Sequence, residues 1–373
     1  MNLLNYTLEG LQAQMEALGL PAWRALQIFR AAHQQYVRSW EEIHTLPRAL
    51  RQQLAAELPI IWPEIEARYQ SSDGTVRYLL RMADGAQVEA VFLPEEIFDG
   101  DGNLVRQRAT FCISTQVGCP VNCQFCLTAT LGLKRNLEAG EIAAEVLTLL
   151  REHGLKPGSG EADRVNIVYM GMGEPFLNYD HVMDSVRILT RPEGAHFSPR
   201  RITISTSGII DKIERFGSEP IRPHLAISLN GTTDEQRTRL MPLNRGQGGL
   251  DRLFEAARNF PLGPREQLTF EYVLLEGEND SLDDAARIVH LTRGLRAKVN
   301  LIAWNMGPEL GFRTPSPERI QAFQQALIAG GVPAFIRRPR GRDIYAACGQ
   351  LKKAVVEEAR MPAGAIPLVQ IGG

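Results

Sequence analysis

Short runs of β-forming residues alternate with helical stretches from Ala109 onward, and this alternation restricts the fold more than any other feature of the chain. Repeated strand–helix units form a parallel sheet with helices outside it, either an open doubly wound sheet or a barrel. Six or seven strands favour a partial barrel. We therefore predict an α/β fold with a partial (β/α)6 barrel over residues 105–348. The runs are TFCIST, VNIVYMG, RITISTSG, HLAISLNG, LTFEYVLLEG, VNLIAWN and PAFIRRP.

The residues before the barrel follow two other patterns. Apolar residues at helical spacing predict a small helical domain over residues 1–58. The apolar period then changes to two over residues 59–98, in runs separated by Ser-Ser-Asp-Gly and Ala-Asp-Gly, so we expect a short antiparallel β meander. A hairpin or insertion is expected at residues 99–102, and a C-terminal helix and tail at residues 349–373.

The overall charge does not identify a partner. The chain has 41 Lys and Arg against 43 Asp and Glu, which gives a formal net charge of -2. Nucleic-acid binders often have a basic excess, so RNA binding would depend on local clusters. The N-terminus lacks a basic segment followed by an apolar one, and the chain has no apolar run of membrane-spanning length. We therefore expect a cytoplasmic protein with no membrane partner.

Three of the five cysteines lie on one short loop after the first barrel strand, as Cys119-x3-Cys123-x2-Cys126. A zinc site would need a fourth Cys or His nearby, and no such residue occurs before His153. An iron–sulfur cubane, in contrast, can be held by three thiolates with one iron left open. The spacing favours the cubane, although a zinc knuckle completed from a distant part of the chain is the alternative.

Polar residues follow several of the predicted strands at their C-terminal ends, where parallel α/β folds bind ligands. After VNIVYM comes Gly-Met-Gly173-Glu174-Pro, whose glycines allow backbone to approach a ligand and whose carboxylate can accept hydrogen bonds. Taken singly, such residues are more often caps or turn residues. Their recurrence at equivalent places predicts a ligand pocket formed by Gly173, Glu174, Ser205, Ser228, Leu229, Asn230 and Asn305.

The cysteine loop resembles the signature of the radical S-adenosylmethionine (SAM) superfamily, in which an aromatic residue such as Phe125 precedes the last cysteine. This resemblance implies a [4Fe-4S] cluster whose open iron is chelated by SAM. It also implies reductive cleavage of SAM to a 5′-deoxyadenosyl radical, on a partial (β/α) barrel.

A closer resemblance, over nearly the whole chain, is to the RlmN family of dual-specificity ribosomal and transfer RNA adenine-carbon-2 methyltransferases. The motifs that are similar are FCISTQVGCPVNCQFC, KRNLEAGEI, GMGEPFLN, STSG, AISLN, NLIAWN and RGRDIYAACGQL. The resemblance implies that Cys348 is first methylated by one SAM, and that a radical from a second SAM activates this methyl group for addition to the base. It further implies a disulfide between Cys112 and Cys348 on product release, with Glu89 or Cys112 as proton acceptor.

RNA is the expected substrate, either 23S rRNA, tRNA or both. Four arginines between residues 337 and 342 lie shortly before Cys348 and could hold phosphates, although a solvated basic loop is the alternative. An electron donor such as flavodoxin with its reductase is expected, and we expect a monomer.

Three alternative functions stay open from the sequence: a carbon-8 adenine methyltransferase, a radical SAM enzyme with another substrate, and a zinc-dependent RNA-binding protein. Pro175 after Gly-Met-Gly-Glu and the helical N-terminal domain favour carbon 2. The chain departs from the family pattern at Asn230, where many relatives have His, in the loop after Asn305, and in a longer segment at residues 99–106.

Overall fold

The computed structural model describes residues 2–98, 104–156, 164–305 and 310–351. The insertion expected at residues 99–102, and most of the C-terminal helix and tail expected at residues 349–373, lie outside these ranges. No helix within the described ranges is long and apolar enough to cross a membrane.

The N-terminal part consists of three helices, α1 Leu8–Ala17, α2 Trp23–Gln34 and α3 Arg48–Glu57. Thr7 begins α1 because its side chain accepts a hydrogen bond from the Gly10 N–H. The helices dock on the barrel through Asn5, whose Oδ1 accepts from the Gly140 N–H at 2.9 Å. A Cβ on Gly140 would lie 2.4 Å from the Leu4 backbone, so this close contact requires glycine.

The meander and the barrel share one ten-stranded sheet. Its antiparallel part comprises β1 Glu64–Gln70, β2 Val76–Arg81 and β3 Gln87–Phe98, and β3 pairs antiparallel with the first barrel strand, β4 Leu104–Cys112. Two short strands, β5 Gln116–Gly118 and β6 Leu133–Asn136, form a separate small sheet on either side of the cysteine loop. The remaining strands continue parallel from β4; they are β7 Val165–Tyr169, β8 Ile202–Thr206, β9 His224–Ser228, β10 Leu268–Leu274, β11 Ala297–Ala303 and β12 Ala334–Arg337.

Six strand–helix units followed by a seventh strand make up the barrel, so the predicted partial (β/α)6 barrel is confirmed, and all seven β-forming runs contain strands. β12 pairs with β11 alone, which leaves the barrel open between β12 and the meander side. The covering helices are α4 Ala139–Glu152, α5 Tyr179–Thr190, α6 Ile210–Gly217, α7 Asp234–Leu240, α8 Gly249–Asn259, α9 Leu282–Leu291 and α10 Pro317–Ala329.

Strand register decides which side chains face the barrel interior. In β7 and β8 the apolar residues Ile167 and Ile204 are fully buried in the core, and the alternate residues face the interior. Paired positions in neighbouring strands share a face, and Cys112 is paired with Val168. On the same criterion, Glu271 shares a face with Ser228 and Asn300. The sheet thereby directs polar and thiol side chains into one interior space.

Candidate active site

A cavity of about 580 Å³ lies at the opening of the barrel, between β3 and β4 on one side and the segment after β12 on the other. Its wall includes Cys112 of β4, Cys126 of the cysteine loop and Cys348. Asn305 and Arg337 also line it. Cysteines from three separate segments of the chain are thus brought to one space large enough for a small organic group.

The cysteine loop between β5 and β6 is held by backbone hydrogen bonds and by an apolar cluster. The Cys119 N–H donates to Gly132 O at 3.1 Å, and the Gln124 N–H donates to Leu240 O at 2.9 Å. Phe125 is buried against Trp304, whose Nε1 donates to Phe125 O at 3.0 Å. Cys123 and Cys126 pack on this cluster, which shields that side of the loop from water.

Burial and local hydrogen bonds act in opposite directions on the pKa of two of the three loop thiols. Burial raises the pKa of all three, that of Cys119 to about 12. Backbone hydrogen bonds from Val121 to Cys119 and from Thr128 to Cys126 act in the opposite direction. Such donors favour the ionised sulfur, and a bound metal deprotonates a coordinating thiol.

Three thiols on one loop form a donor set that fits an iron–sulfur cluster. A cluster contains its own sulfide ions and can be held by three thiolates. Cys119, Cys123 and Cys126 would hold it, and the cavity beside Cys126 leaves room for a further ligand on the open iron.

The Gly-Met-Gly-Glu segment after β7 packs directly against the chain before the cysteine loop. Gly173 has φ of 106°, and a Cβ there would lie 2.7 Å from Thr115 Oγ1 and from Gln116 Cβ. Glu174 is buried and accepts hydrogen bonds from Thr206 Oγ1 at 2.7 Å and from the Ser207 N–H at 2.6 Å. Burial raises the pKa of Glu174 and these hydrogen bonds oppose that effect. The carboxylate therefore joins the ends of β7 and β8.

The other residues predicted to bind SAM lie within or just after the strands β8, β9 and β11, and their surroundings differ. Ser205 lies within β8, Ser228 ends β9, and Leu229 after it is fully buried. The Asn230 side chain connects β9 to β10, because its Oδ1 accepts from the Val273 N–H at 2.8 Å and its Nδ2 donates to Met241 Sδ at 3.3 Å. Asn305 faces the cavity instead, and its Nδ2 donates to Cys348 O at 3.4 Å.

Arg237 of α7 is a site residue that our sequence reasoning missed. It is 1% exposed, and its guanidinium donates to Ser207 O at 2.6 Å, to Leu229 O at 3.1 Å and to Asn244 Oδ1 at 2.5 Å. Burial lowers the pKa of Arg237 to about 10. The side chain fixes the ends of β8 and β9, but no motif marks it, since Arg on a short polar helix usually faces water.

Replacing Arg237 should strongly destabilise the protein. Arg237→Met leaves several buried acceptors without a donor, so we expect a loss of about 3–5 kcal/mol in the free energy of unfolding. Arg252→Met, at an exposed arginine with only surface ion pairs, should change it by about 0.5 kcal/mol or less. Urea unfolding of both variants measures the difference, and equal losses would contradict the structural role of Arg237.

Cys348 lies on a loop that is bonded to the cysteine loop through main-chain atoms. The Leu127 N–H donates to Gly349 O at 2.8 Å, and Cys348 itself is accessible from the cavity. Desolvation of the sulfur raises the pKa of the Cys348 thiol. The positive charge of Arg337 acts in the opposite direction. The cavity therefore presents a thiol whose nucleophilic form is favoured by the positive charge of Arg337.

All five cysteines are free thiols, so the expected disulfide between Cys112 and Cys348 is not borne out. The bond was expected only at product release, and a fold of this size has a core that needs no covalent crosslink. Both sulfurs nevertheless face the same cavity. Burial raises the pKa of the Cys112 thiol, and the neighbouring Cys348 adds to the effect.

Glu89 lies apart from the cavity-lining residues but on the same face of the sheet as Cys112. Val91 pairs with Cys112, and Glu89 is two positions from Val91 along β3. The carboxylate is fully buried and forms an ion pair with Arg77 at 2.5 Å. Arg77 is also buried, so the ion pair lies within the interior of the protein.

The arginines before Cys348 have divided roles. Arg337, Arg338 and Arg340 line the cavity. Arg340 also contacts Asp73, and Arg342 Nε donates to Asn305 Oδ1 at 2.7 Å. The predicted phosphate-binding patch therefore also includes groups that fix the loop of Cys348.

Comparisons with known proteins agree with this geometry. The Radical SAM superfamily model matches residues 113–289, and the model of the ribosomal RNA large subunit methyltransferase N-terminal domain matches residues 1–60. The probable dual-specificity RNA methyltransferase RlmN of Koribacter versatilis is 51% identical over 346 residues, which cover 91% of this chain and 98% of that protein. RlmN 2 of Myxococcus xanthus, another dual-specificity RNA methyltransferase, is 44% identical over 90% of this chain and 86% of its own length.

A solved structure is similar over nearly the whole chain. The crystal structure of a radical SAM methyltransferase from Sphaerobacter thermophilus has a TM-score of 0.84 and 43% sequence identity. The match covers 94% of this chain and 99% of that chain. The helical N-terminal part and the barrel thus occur together in a known methyltransferase.

Proposed function

Because this chain belongs to the RlmN family of radical SAM RNA methyltransferases, we propose that it methylates carbon 2 of adenine in 23S rRNA, in tRNA or in both. The observation that supports this most directly is the meeting of Cys112, Cys126 and Cys348 at one cavity. An enzyme that transfers a methyl group through its own thiol needs that thiol beside both the SAM site and the space for the base.

The cluster and two molecules of SAM per turnover would supply the methyl group, the electron and the 5′-deoxyadenosyl radical. Cys119, Cys123 and Cys126 bind the cluster in this proposal. Gly173, Glu174, Ser205, Ser228, Leu229, Asn230 and Asn305 form the SAM pocket. Asn305 has the clearest support for direct contact with the reacting groups, since it lines the cavity and touches the Cys348 loop.

Cys348 carries the methyl group in the proposed reaction. Its thiolate displaces the methyl carbon from the sulfonium sulfur of SAM, so that a sulfur–carbon bond forms in the protein and S-adenosylhomocysteine leaves. The resulting thioether presents methyl hydrogens to the cavity, and loss of one hydrogen atom leaves a carbon radical on the methyl group. Carbon 2 of adenine is electron-poor and resists an electrophilic methyl group, whereas it accepts a carbon radical.

Cys112 and Glu89 complete the reaction in this proposal. After the base has bonded to the methylene group on Cys348, the adduct has one unpaired electron, which the oxidised cluster would take up, and the proton on carbon 2 leaves to a base. Cys112 lines the same cavity, and its thiolate then attacks the sulfur of Cys348. A transient sulfur–sulfur bond forms as the sulfur–carbon bond breaks, the product carbon leaves with the bonding electrons and takes up a proton, and an external thiol reductant restores both thiols before the next turnover. Either Cys112 or Glu89 takes the proton from carbon 2; Glu89 is buried on the same face of the sheet as Cys112.

Membership of the same family also suggests the electron donor, the location and the oligomeric state of the enzyme. A flavodoxin with its reductase, or a similar one-electron donor, would reduce the cluster. We propose a cytoplasmic monomer, whose RNA lies along the side of the cavity that Arg337 and Arg338 line.

Nucleoside analysis tests the proposed product. Reconstituted enzyme, reductant and SAM are incubated anaerobically with separate 23S rRNA fragments and tRNA, and the digested nucleosides are separated against standards. We expect 2-methyladenosine from at least one RNA. Finding 8-methyladenosine, or no methylated adenosine from either RNA, would contradict the proposal.

A further inference from the structure

Hydrogen bonds hold the segment that bears Cys348 at both of its ends. We define the carrier loop as residues 341–349. At its C-terminal end, Gly349 O accepts from the Leu127 N–H at 2.8 Å, and Cys348 O accepts from Asn305 Nδ2 at 3.4 Å. This end is therefore tied to the cysteine loop and to the end of β11.

The N-terminal end of the carrier loop is tied to the turn between β1 and β2, residues 71–75, which we call the meander turn. Asp343 accepts from Ser71 Oγ at 2.6 Å and from the Ser72 N–H at 3.2 Å. In the other direction, Asp73 accepts from the Gly341 N–H at 3.0 Å. Each segment thus contributes one carboxylate to the other, across more than 260 positions of sequence.

The Asp73 side of this contact is charged at neutral pH. Burial alone would raise its pKa, but hydrogen bonds from Thr75 and Gly341 and the charge of Arg340 bring the pKa of Asp73 to about 2. Arg340 also donates from Nη2 to Asp73 O at 2.9 Å. Hydrogen bonds to a charged acceptor are stronger than neutral ones, so this connection holds its geometry well.

Packing leaves the carrier loop little freedom beside the turn. Gly341 has φ of 61°, and a Cβ there would lie 2.7 Å from Ala346 Cβ and 2.9 Å from Thr75 Cγ2. The Ala346 N–H also donates to Gly341 O at 2.8 Å. The loop therefore folds back tightly on the meander turn just before Cys348.

We propose that Ser71, Asp73 and Asp343 are positioning residues for methyl transfer, which fix the carrier loop so that the Cys348 sulfur reaches first the methyl donor and then the base. This inference rests on the proposed role of Cys348 as methyl carrier. The same sulfur must serve two partners, and reacting atoms must approach within about 3–3.5 Å in the right direction. A loop held at one end alone would sample many positions.

The experiment compares Asp343→Asn, Ser71→Ala and the double variant with Asp84→Asn as a matched control. Asp84 lies in the next turn of the meander, where it accepts from the Ala86 N–H at 2.9 Å and pairs with Arg135 without contacting the carrier loop. Three quantities are measured in reconstituted protein: iron content, 5′-deoxyadenosine formed from SAM, and methylation of Cys348 by mass spectrometry of its peptide.

We expect Cys348 methylation in Asp343→Asn and Ser71→Ala to be slower by about tenfold to a hundredfold, since misplacement by about 1 Å has effects of this size. Iron content and SAM cleavage should stay at the level of Asp84→Asn. The double variant should be slowed by less than the product of the two single effects, because Ser71 and Asp343 share a hydrogen bond.

Two results would overturn the inference. One is Cys348 methylation in both single variants at the rate of the Asp84→Asn control. The other is a loss of methylation in proportion to iron content and SAM cleavage, which would show that the contact serves folding alone. If the unsubstituted enzyme never methylates Cys348, the proposed function itself fails, and this inference fails with it.

Discussion

Cys348→Ala should abolish RNA methylation, with a loss of at least about 10³-fold, because the variant has no nucleophile to accept the methyl group. It should keep its cluster and its reductive cleavage of SAM. The carrier loop contacts the cysteine loop through Gly349 O and Leu127 N–H, and these main-chain atoms are unchanged by the substitution. Nucleoside mass spectrometry and the yield of 5′-deoxyadenosine, measured on the same sample, provide the check.

Cys123→Ala is the contrasting variant. It removes a proposed cluster ligand that packs on the buried group around Phe125, so iron content, SAM cleavage and methylation should all fall together. Methylation retained by Cys348→Ala would exclude this residue as the methyl carrier. Loss of iron in Cys348→Ala would instead place the residue in the cluster site.

Cys112→Ala should trap the enzyme on its RNA. Without the second thiol at the cavity, the bond between the product carbon and the Cys348 sulfur has no attacking group, so a covalent protein–RNA adduct should accumulate while free product falls by at least about 10²-fold. Labelled RNA that migrates with the protein on a denaturing gel measures the adduct.

The double variant Cys112→Ala/Cys348→Ala is the control for trapping, because it lacks the methyl carrier and should form no adduct. Normal turnover by Cys112→Ala, without any adduct, would remove Cys112 from the reaction. An adduct that persists in the double variant would mean that RNA is bonded to another residue.

The barrel could be predicted from sequence because its signal is local. Each β-forming run alternates with a helical stretch, and each run became a strand of the sheet. The joining of the meander to β4 could not be predicted in the same way. Period-two patterns show that a strand has one buried face, but they do not show which neighbour its edge pairs with.

The cysteine positions were informative for a different reason. Cys119, Cys123 and Cys126 form a motif by spacing alone, and strand ends of parallel sheets gather at one place. Arg237 and the carboxylate contacts of Asp73 and Asp343 have no such signal. They depend on pairs of segments that meet only in the fold, as the 272 positions between Ser71 and Asp343 illustrate.

The burial of Glu89 could not be predicted from the alternating pattern of its strand. In sequence it is one carboxylate in an alternating strand, and an exposed position is the ordinary expectation. In the structure it is fully buried with Arg77, twelve positions earlier, as its ion-pair partner. Only the pairing of β2 with β3 brings these two side chains together.

The most direct measurement uses SAM with a fully deuterated methyl group, followed by mass spectrometry of the methylated adenosine. Transfer through the Cys348 thioether removes one hydrogen isotope from the methyl group before it reaches the base, so the product methyl should retain two deuterons. Three deuterons on the product would mean direct transfer from SAM and would contradict a protein-bound methyl carrier.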